Sequence, residues 1–254
     1  MDLTMCGPLP DRAEEIARLY CEHGNWNQVK EIWFKERRAN RSTKGSSQKI
    51  YRVLSSRFKN APATLPSPSD LPAVLDTCLS SRDKAQVLYP YLVADDALVQ
   101  YAVHEYARRL AEDSPDPLDF SNEALTSVLD QFEYIDETPF DYADSTTKRW
   151  CEGFRSIMRE IGVLESQQTA VGDPPSLGDT PLLVAIGYSY EEGDEEWFKS
   201  PIGLQYLFQP SSRWEELYNR AAETEAWTFV ELHGSLKLRP TDEPYSSITS
   251  EGVQ

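Results

Sequence analysis

The chain has 254 residues, 40% hydrophobic and 11% aromatic, and its 25 Lys and Arg stand against 42 Asp and Glu for a net charge of −17. That aromatic content excludes a wholly disordered acidic chain, and the length allows a substantial core in one large domain or two small ones. With no apolar run of about eighteen residues and no basic-then-apolar leader, the sequence reads as cytoplasmic, without a membrane span.

Cys6, Cys21, Cys78 and Cys151 are scattered and form no Cys-x-x-Cys pair. Isolated thiols of a cytosolic protein are favoured over disulfides. The acids are dispersed over the chain, and lysines number 9 against 16 arginines. Such dispersed acidity is expected of a halophilic protein, whose self-repulsion is screened by a salty cytoplasm.

Helical periodicity dominates the first two-thirds. Ile16, Leu19 and Tyr20 share one face, and Gly24 stands where a helix end wants a left-handed residue. Asn25 then caps a second helix carrying Trp26, Val29, Ile32 and Trp33. The segment "ANRSTKGSS" breaks the period, and a third helix follows over about 47–58, with Ile50, Val53, Leu54 and Phe58 as its inner stripe. Prolines 62, 66, 68 and 72 make the next stretch a rigid connection. Further helices are expected over 71–79, 84–93, 96–111 and 122–132. The clearest covers "STTKRWCEGFRSIMREIG", with Ser145 as N-cap and Gly162 closing it. A short strand is expected at "VLES", then helices over 180–188, 201–208 and 213–223. Alternation in "WTFVELHGSLKLRP" predicts a β-hairpin over 227–239 turning at His233-Gly234.

Chemistry-bearing motifs are few. His23, His104 and His233 fall in different elements, with no metal-ligand spacing around them. No phosphate loop, dinucleotide fingerprint, nucleophile elbow or kinase signature occurs. Acid pairs such as Asp95-Asp96 and Glu195-Glu196 read as solvated faces. The expectation is therefore no catalytic residue, no metal and no cofactor.

The informative feature is electrostatic. Residues 30–59 hold ten basic residues and two acids, a net +8, whereas residues 61–254 carry −22. Lys49, Arg52, Ser56 and Lys59 are spaced 3, 4 and 3, which places them on one helical stripe opposite Ile50, Val53 and Leu54. Upstream, Arg37, Arg38, Arg41 and Lys44 flank a Ser-rich turn, and Ser46 and Ser47 stand at the next helix's N-terminus, where N–H groups and hydroxyls can meet phosphates. Helix, short turn and basic amphipathic helix is the arrangement of a DNA-reading pair. A second basic face, Lys148, Arg155 and Arg159, is interrupted by Glu152. Solvated charges, or pairing with the protein's own acids, would leave the same pattern in sequence.

Three stretches resemble the BrxA family of BREX phage-exclusion systems: "GNWNQVKEIWFKERRANRSTKGSSQKIYRVLSSRF", "RDKAQVLYPYLVADDALVQYAVHEYARRL" and "DYADSTTKRWCEGFRSIMREIGVLES". Their order and spacing, over residues 24–166, carry the likeness. The resemblance implies an all-helical core with small β elements, no catalytic activity, binding to double-stranded DNA in antiviral defence, and other BREX components as functional neighbours.

The sequence thus predicts a mainly α, multi-helix protein. Residues 1–60 form a helix-turn-helix-like basic region, 61–72 a Pro-rich connection and 73–140 a central helical region. Residues 141–240 form a winged-helix-like region with the hairpin, and 241–254 a disordered tail. The expected function is phosphate-directed binding of double-stranded DNA with weak sequence preference. The alternative is a scaffold within the defence complex whose basic island grips an acidic protein partner.

Overall fold

The computed structural model describes residues 7–36, 44–111, 118–133, 140–232, 235–242, 244–245 and 248. Eleven α-helices, two short 3-10 helices, a two-residue β ladder and a small C-terminal hairpin make up the regular structure among them, so the chain is mainly α.

The first two helices form as their caps dictate. Helix α1 (Pro10–His23) ends at Gly24, whose φ of 61° is left-handed and whose N–H bonds Tyr20 O. Helix α2 (Trp26–Lys35) starts where the Asn25 side chain accepts hydrogen bonds from the N–H groups of Asn27 and Gln28. Helix α3 (Lys44–Lys59) begins about one turn before the expected start. Ser46 and Ser47 therefore lie inside its first turn.

Helices α4 (Leu71–Asp76) and α5 (Ser81–Asp95) follow the Pro-rich connection. Nine consecutive residues of α5, Ala85 to Val93, are buried, so this helix is apolar all round and belongs in the middle of the molecule. It packs against α1 and α3 on one side, and against α6 (Ala97–Ala111), α8 (Asp144–Glu160) and α9 (Asp179–Glu192) on others. Pro90 lies inside α5 and leaves the Gln86 carbonyl without its helical donor. The Gln86 side chain instead binds outward from the helix, donating to Ile161 O at 2.9 Å and Ser176 O at 3.0 Å. One continuous hydrophobic core thus runs from Ala13 to Ile248, and the expected regions share it.

Helix α7 (Asn122–Leu129) is capped by Ser121, and α8 follows with Trp150, Phe154, Ile157 and Met158 turned inward. Its N-cap is Ala143 in place of the expected Ser145, while Gly162 closes it at φ 87°. The "VLES" segment is not a strand. The N–H groups of Val163 and Leu164 both turn back to Met158 O, satisfying the carbonyl end of α8. A two-residue ladder pairs β1 (Leu118–Asp119) with β2 (Val171–Gly172), antiparallel.

After α9 come α10 (Ile202–Tyr206) and α11 (Trp214–Glu223), then the hairpin of β3 (Trp227–Leu232) and β4 (Ser235–Pro240), with Leu232 opposite Ser235. The hairpin packs on α11, and Trp227 meets Tyr190 of α9 edge to face, so the helices it leans on are α9 and α11. The tail expected to be disordered is docked over part of its length. Thr241 N–H bonds Ala226 O, Tyr245 donates to Thr64 O at 2.6 Å, and Ile248 is buried. No described helix is long and apolar enough to cross a membrane.

Candidate nucleic-acid interface

Helix α3 carries the basic stripe. Its inner face, Ile50, Tyr51, Leu54 and Phe58, is buried. With a repeat of 3.6 residues per turn, Arg52 and Lys59 then stand exposed and Lys49 half-buried along the opposite side. Lys59 is not loose. Its ammonium sits 5.1 Å from the centre of the Trp26 ring, which ties the end of α3 to the start of α2. Ser56 belongs to the same stripe but donates to Asp95 Oδ1 at 3.2 Å, and Asn60 reaches the same oxygen at 3.3 Å. Asp95 therefore bounds the stripe at its C-terminal end.

Two expectations for α3 are revised. Ser47 is only 9% exposed, because the helix begins at Lys44 and turns this position toward the core, so its hydroxyl is not on the outer face. Ser46 is exposed. Arg57, which the charge count includes with the rest, is only 6% exposed. Its guanidinium donates to Gly7 O at 2.8 Å and lies within electrostatic reach of Glu160 and Asp96. One cation of the island is thus turned inward, bonded to the protein's own backbone and near two of its carboxylates. Arg37, Arg38 and Arg41, and the side chain of Lys44, lie outside the described residues.

The second basic face divides in the same way. Lys148 is exposed near the start of α8, with Arg149 exposed beside it. Arg155 is engaged internally, donating to Asn122 Oδ1 at 2.7 Å and Phe120 O at 3.3 Å, so it clamps α8 to the start of α7. Arg159 stands about 16 Å further along the helix from Lys148. It lines a cavity together with Arg12 of α1 and Arg82 of α5. The expected stripe of Lys148, Arg155 and Arg159 is therefore a surface lysine, a structural clamp and a cavity wall.

Arg12 and Arg82 were not legible as a pair, being seventy residues apart in the sequence. One signal for each was present. A cation in a helix's first turn opposes the helix dipole, so an arginine just after a helix start asks for a negative neighbour.

His104 is exposed as a residue, although desolvation of its ring lowers its pKa, and its Nε2 lies 3.2 Å from the Tyr206 hydroxyl. Among the described residues no three His, Cys, Asp or Glu side chains come together as a metal site. Comparison of the chain with protein-family models, curated proteins and solved structures finds no match.

Proposed function

We propose that this chain is a non-enzymatic, cytoplasmic, double-stranded-DNA-binding component of a BREX-type antiphage defence system, working without a cofactor. The observation that carries the DNA reading is the line of Lys49, Arg52 and Lys59 along the outer side of α3, continuous in sequence with Arg37, Arg38, Arg41 and Lys44. Such a line tracks phosphates, which position a protein on a duplex without reading its bases. The defence assignment rests on the order of the three BrxA-like segments. Lys148 extends the basic surface, whereas Arg155 has its own structural partners.

The net charge of −17 opposes approach to DNA at long range. At 0.1 M salt the screening length is about 10 Å, so distant carboxylates are damped while cations touching phosphates are not. A halophilic cytoplasm would deepen that screening and also weaken the phosphate contacts themselves, since each contact releases a condensed counterion.

The test is fluorescence anisotropy with a duplex at several salt concentrations, comparing the wild type with Lys49→Glu/Arg52→Glu. Loss of two phosphate contacts flattens the slope of log K against log salt by about 1.8. Unchanged affinity and slope would remove the stripe from the interface. No DNA binding at low salt, together with co-purification of an acidic defence-complex protein that the same variant releases, would favour the scaffold reading instead. What supports that reading is Arg57, whose charge acts on Glu160 and Asp96 within the chain.

A further inference from the structure

Helices α1, α5 and α8 come together at their ends around a cavity of about 470 Å³, within the size range of small-molecule sites. Three arginines from three distant parts of the sequence, Arg12, Arg82 and Arg159, line it, with Asp11 and Glu160 as the acids in its wall. In a chain of net charge −17, a cavity with more cations than carboxylates is unusual. Arg159 suits its place, since a cation in the last turn of α8 meets the negative end of the helix dipole. Arg12 and Arg82 have the opposite placement, in the first turns of α1 and α5.

Arg82 is exposed, and its side chain runs beside the turn that ends α8. Its Cδ and Nε lie against Gly162, where an added Cβ would stand 2.9 Å from each. The neighbouring acid, Asp83, is turned away toward Gly178 at the start of α9, its Oδ1 3.0 Å from where a Cβ there would sit. Arg82 and Arg159 make no hydrogen bond or ion pair among the described residues. Two guanidinium groups thus line one cavity without a hydrogen-bond acceptor of their own, Arg82 lying against Gly162 and Arg159 within electrostatic reach of Glu160.

We propose that this cavity binds the phosphoryl group of a small phosphorylated molecule, with Arg82 and Arg159 as its principal donors and Arg12 completing the positive wall. A guanidinium presents paired N–H groups that match two oxygens of a phosphate. The cavity's volume leaves room beyond the phosphoryl group for a body of mononucleotide size. Glu160 works against the anion, and that gives the proposal a variant that should improve binding. The inference does not rest on the DNA reading, because Arg12 and Arg82 are not among the residues assigned to the duplex.

The test is isothermal titration calorimetry of the full chain with inorganic phosphate and with AMP, at ionic strength held constant with chloride. Saturable binding of at least one probe is expected. Arg82→Gln should weaken it at least tenfold and Glu160→Gln should tighten it several-fold. If circular dichroism shows Arg82→Gln to be misfolded, Glu160→Gln decides alone, its amide oxygen still able to accept from Leu9 N–H. AMP binding tighter than phosphate would assign the rest of the cavity to the nucleoside, and equal affinities would confine recognition to the phosphoryl group. No saturable binding of either probe, or binding that Glu160→Gln leaves unchanged or weakens, overturns the proposal. Duplex affinity unchanged in Arg82→Gln would separate this cavity from the α3 stripe.

Discussion

The guanidinium of Arg57 donates a 2.8 Å hydrogen bond to the carbonyl oxygen of Gly7, which pins the segment before α1 to the C-terminal half of α3. The same side chain lies within electrostatic reach of two half-buried carboxylates, Glu160 at the end of α8 and Asp96 at the start of α6. Asp96 in turn accepts from the N–H groups of Leu98 and Val99, so this group both caps α6 and faces the cation. The described bases of the island therefore do two jobs. Some stand outside on α3, and Arg57 closes a junction between four segments of chain.

Removing Arg57 separates those jobs experimentally. Arg57→Met removes a buried guanidinium, its hydrogen bond to Gly7 O and its charge near Glu160 and Asp96, a loss of about 2 kcal/mol. Arg52→Ala, on the exposed side of the same helix, should change stability by no more than about 0.5 kcal/mol. Urea unfolding of the two variants measures both. Equal, small effects would mean that Arg57 is not holding the junction.

Local signals in the sequence were strong enough to set most helices. Asn25 and Gly24 punctuate the first helix pair because capping depends only on near neighbours. Trp150, Phe154, Ile157 and Met158 fix the inner face of α8 for the same reason. Position 47 failed because one extra helical turn at Lys44 changes which way a serine faces, and no apolar residue in "STKGSS" marks that start. The β1–β2 ladder has only two residues on each side, too few for alternation to register. Of the candidate interface, the α3 stripe was legible from spacing. The internal use of Arg57 and Arg155, and the convergence of Arg12, Arg82 and Arg159, depend on contacts between distant segments, which periodicity does not encode.

Asn25 offers a direct test of local control. Its side-chain oxygen is 2.8 Å from Asn27 N and 3.4 Å from Gln28 N, satisfying donors that α2 leaves open. Asn25→Ala should lower stability by about 1 kcal/mol and Asn25→Ser by much less. Thermal or chemical denaturation compares the two. A serine variant as unstable as the alanine one would show that the cap is not the reason for the asparagine.

The cysteines should differ in reactivity. Cys21 is exposed, whereas Cys78 is partly covered and Cys151 buried. Burial pushes the Cys78 thiol up to about 12 and raises that of Cys151 as well. The thiolate is the reacting form, so iodoacetamide at pH 8 should label Cys21 well before Cys78 or Cys151 in the folded protein. Peptide mapping by mass spectrometry reads the order, and urea should abolish the difference. Early labelling of Cys151 would contradict the packing of α8.

Glu14 and Glu160 should bend the pH dependence of stability in opposite directions. At Glu14, burial acts to raise the pKa, but hydrogen bonds from Lys84 at 2.6 Å and from Arg18 at 2.7 Å outweigh it, so the carboxyl lies below its ordinary value. A depressed carboxylate contributes stability above its unfolded pKa of about 4.3 and loses it as the pH falls through the folded value. Glu14→Gln should therefore destabilise the protein by on the order of 1 kcal/mol at pH 7 and by less as the pH approaches 3. At Glu160, burial is the largest influence and raises the pKa, with Leu9 N–H, Arg57 and Arg159 offsetting only part of it. Its contribution is fully present below the unfolded pKa and is lost as the pH rises through the raised value. Wild-type stability should therefore fall relative to Glu160→Gln as the pH increases from about 4 toward neutrality. Urea midpoints for the three proteins between pH 3 and 8 give both difference curves. Curves of the same sign would mean that Arg57 and Arg159 pair with Glu160 strongly enough to overcome its burial.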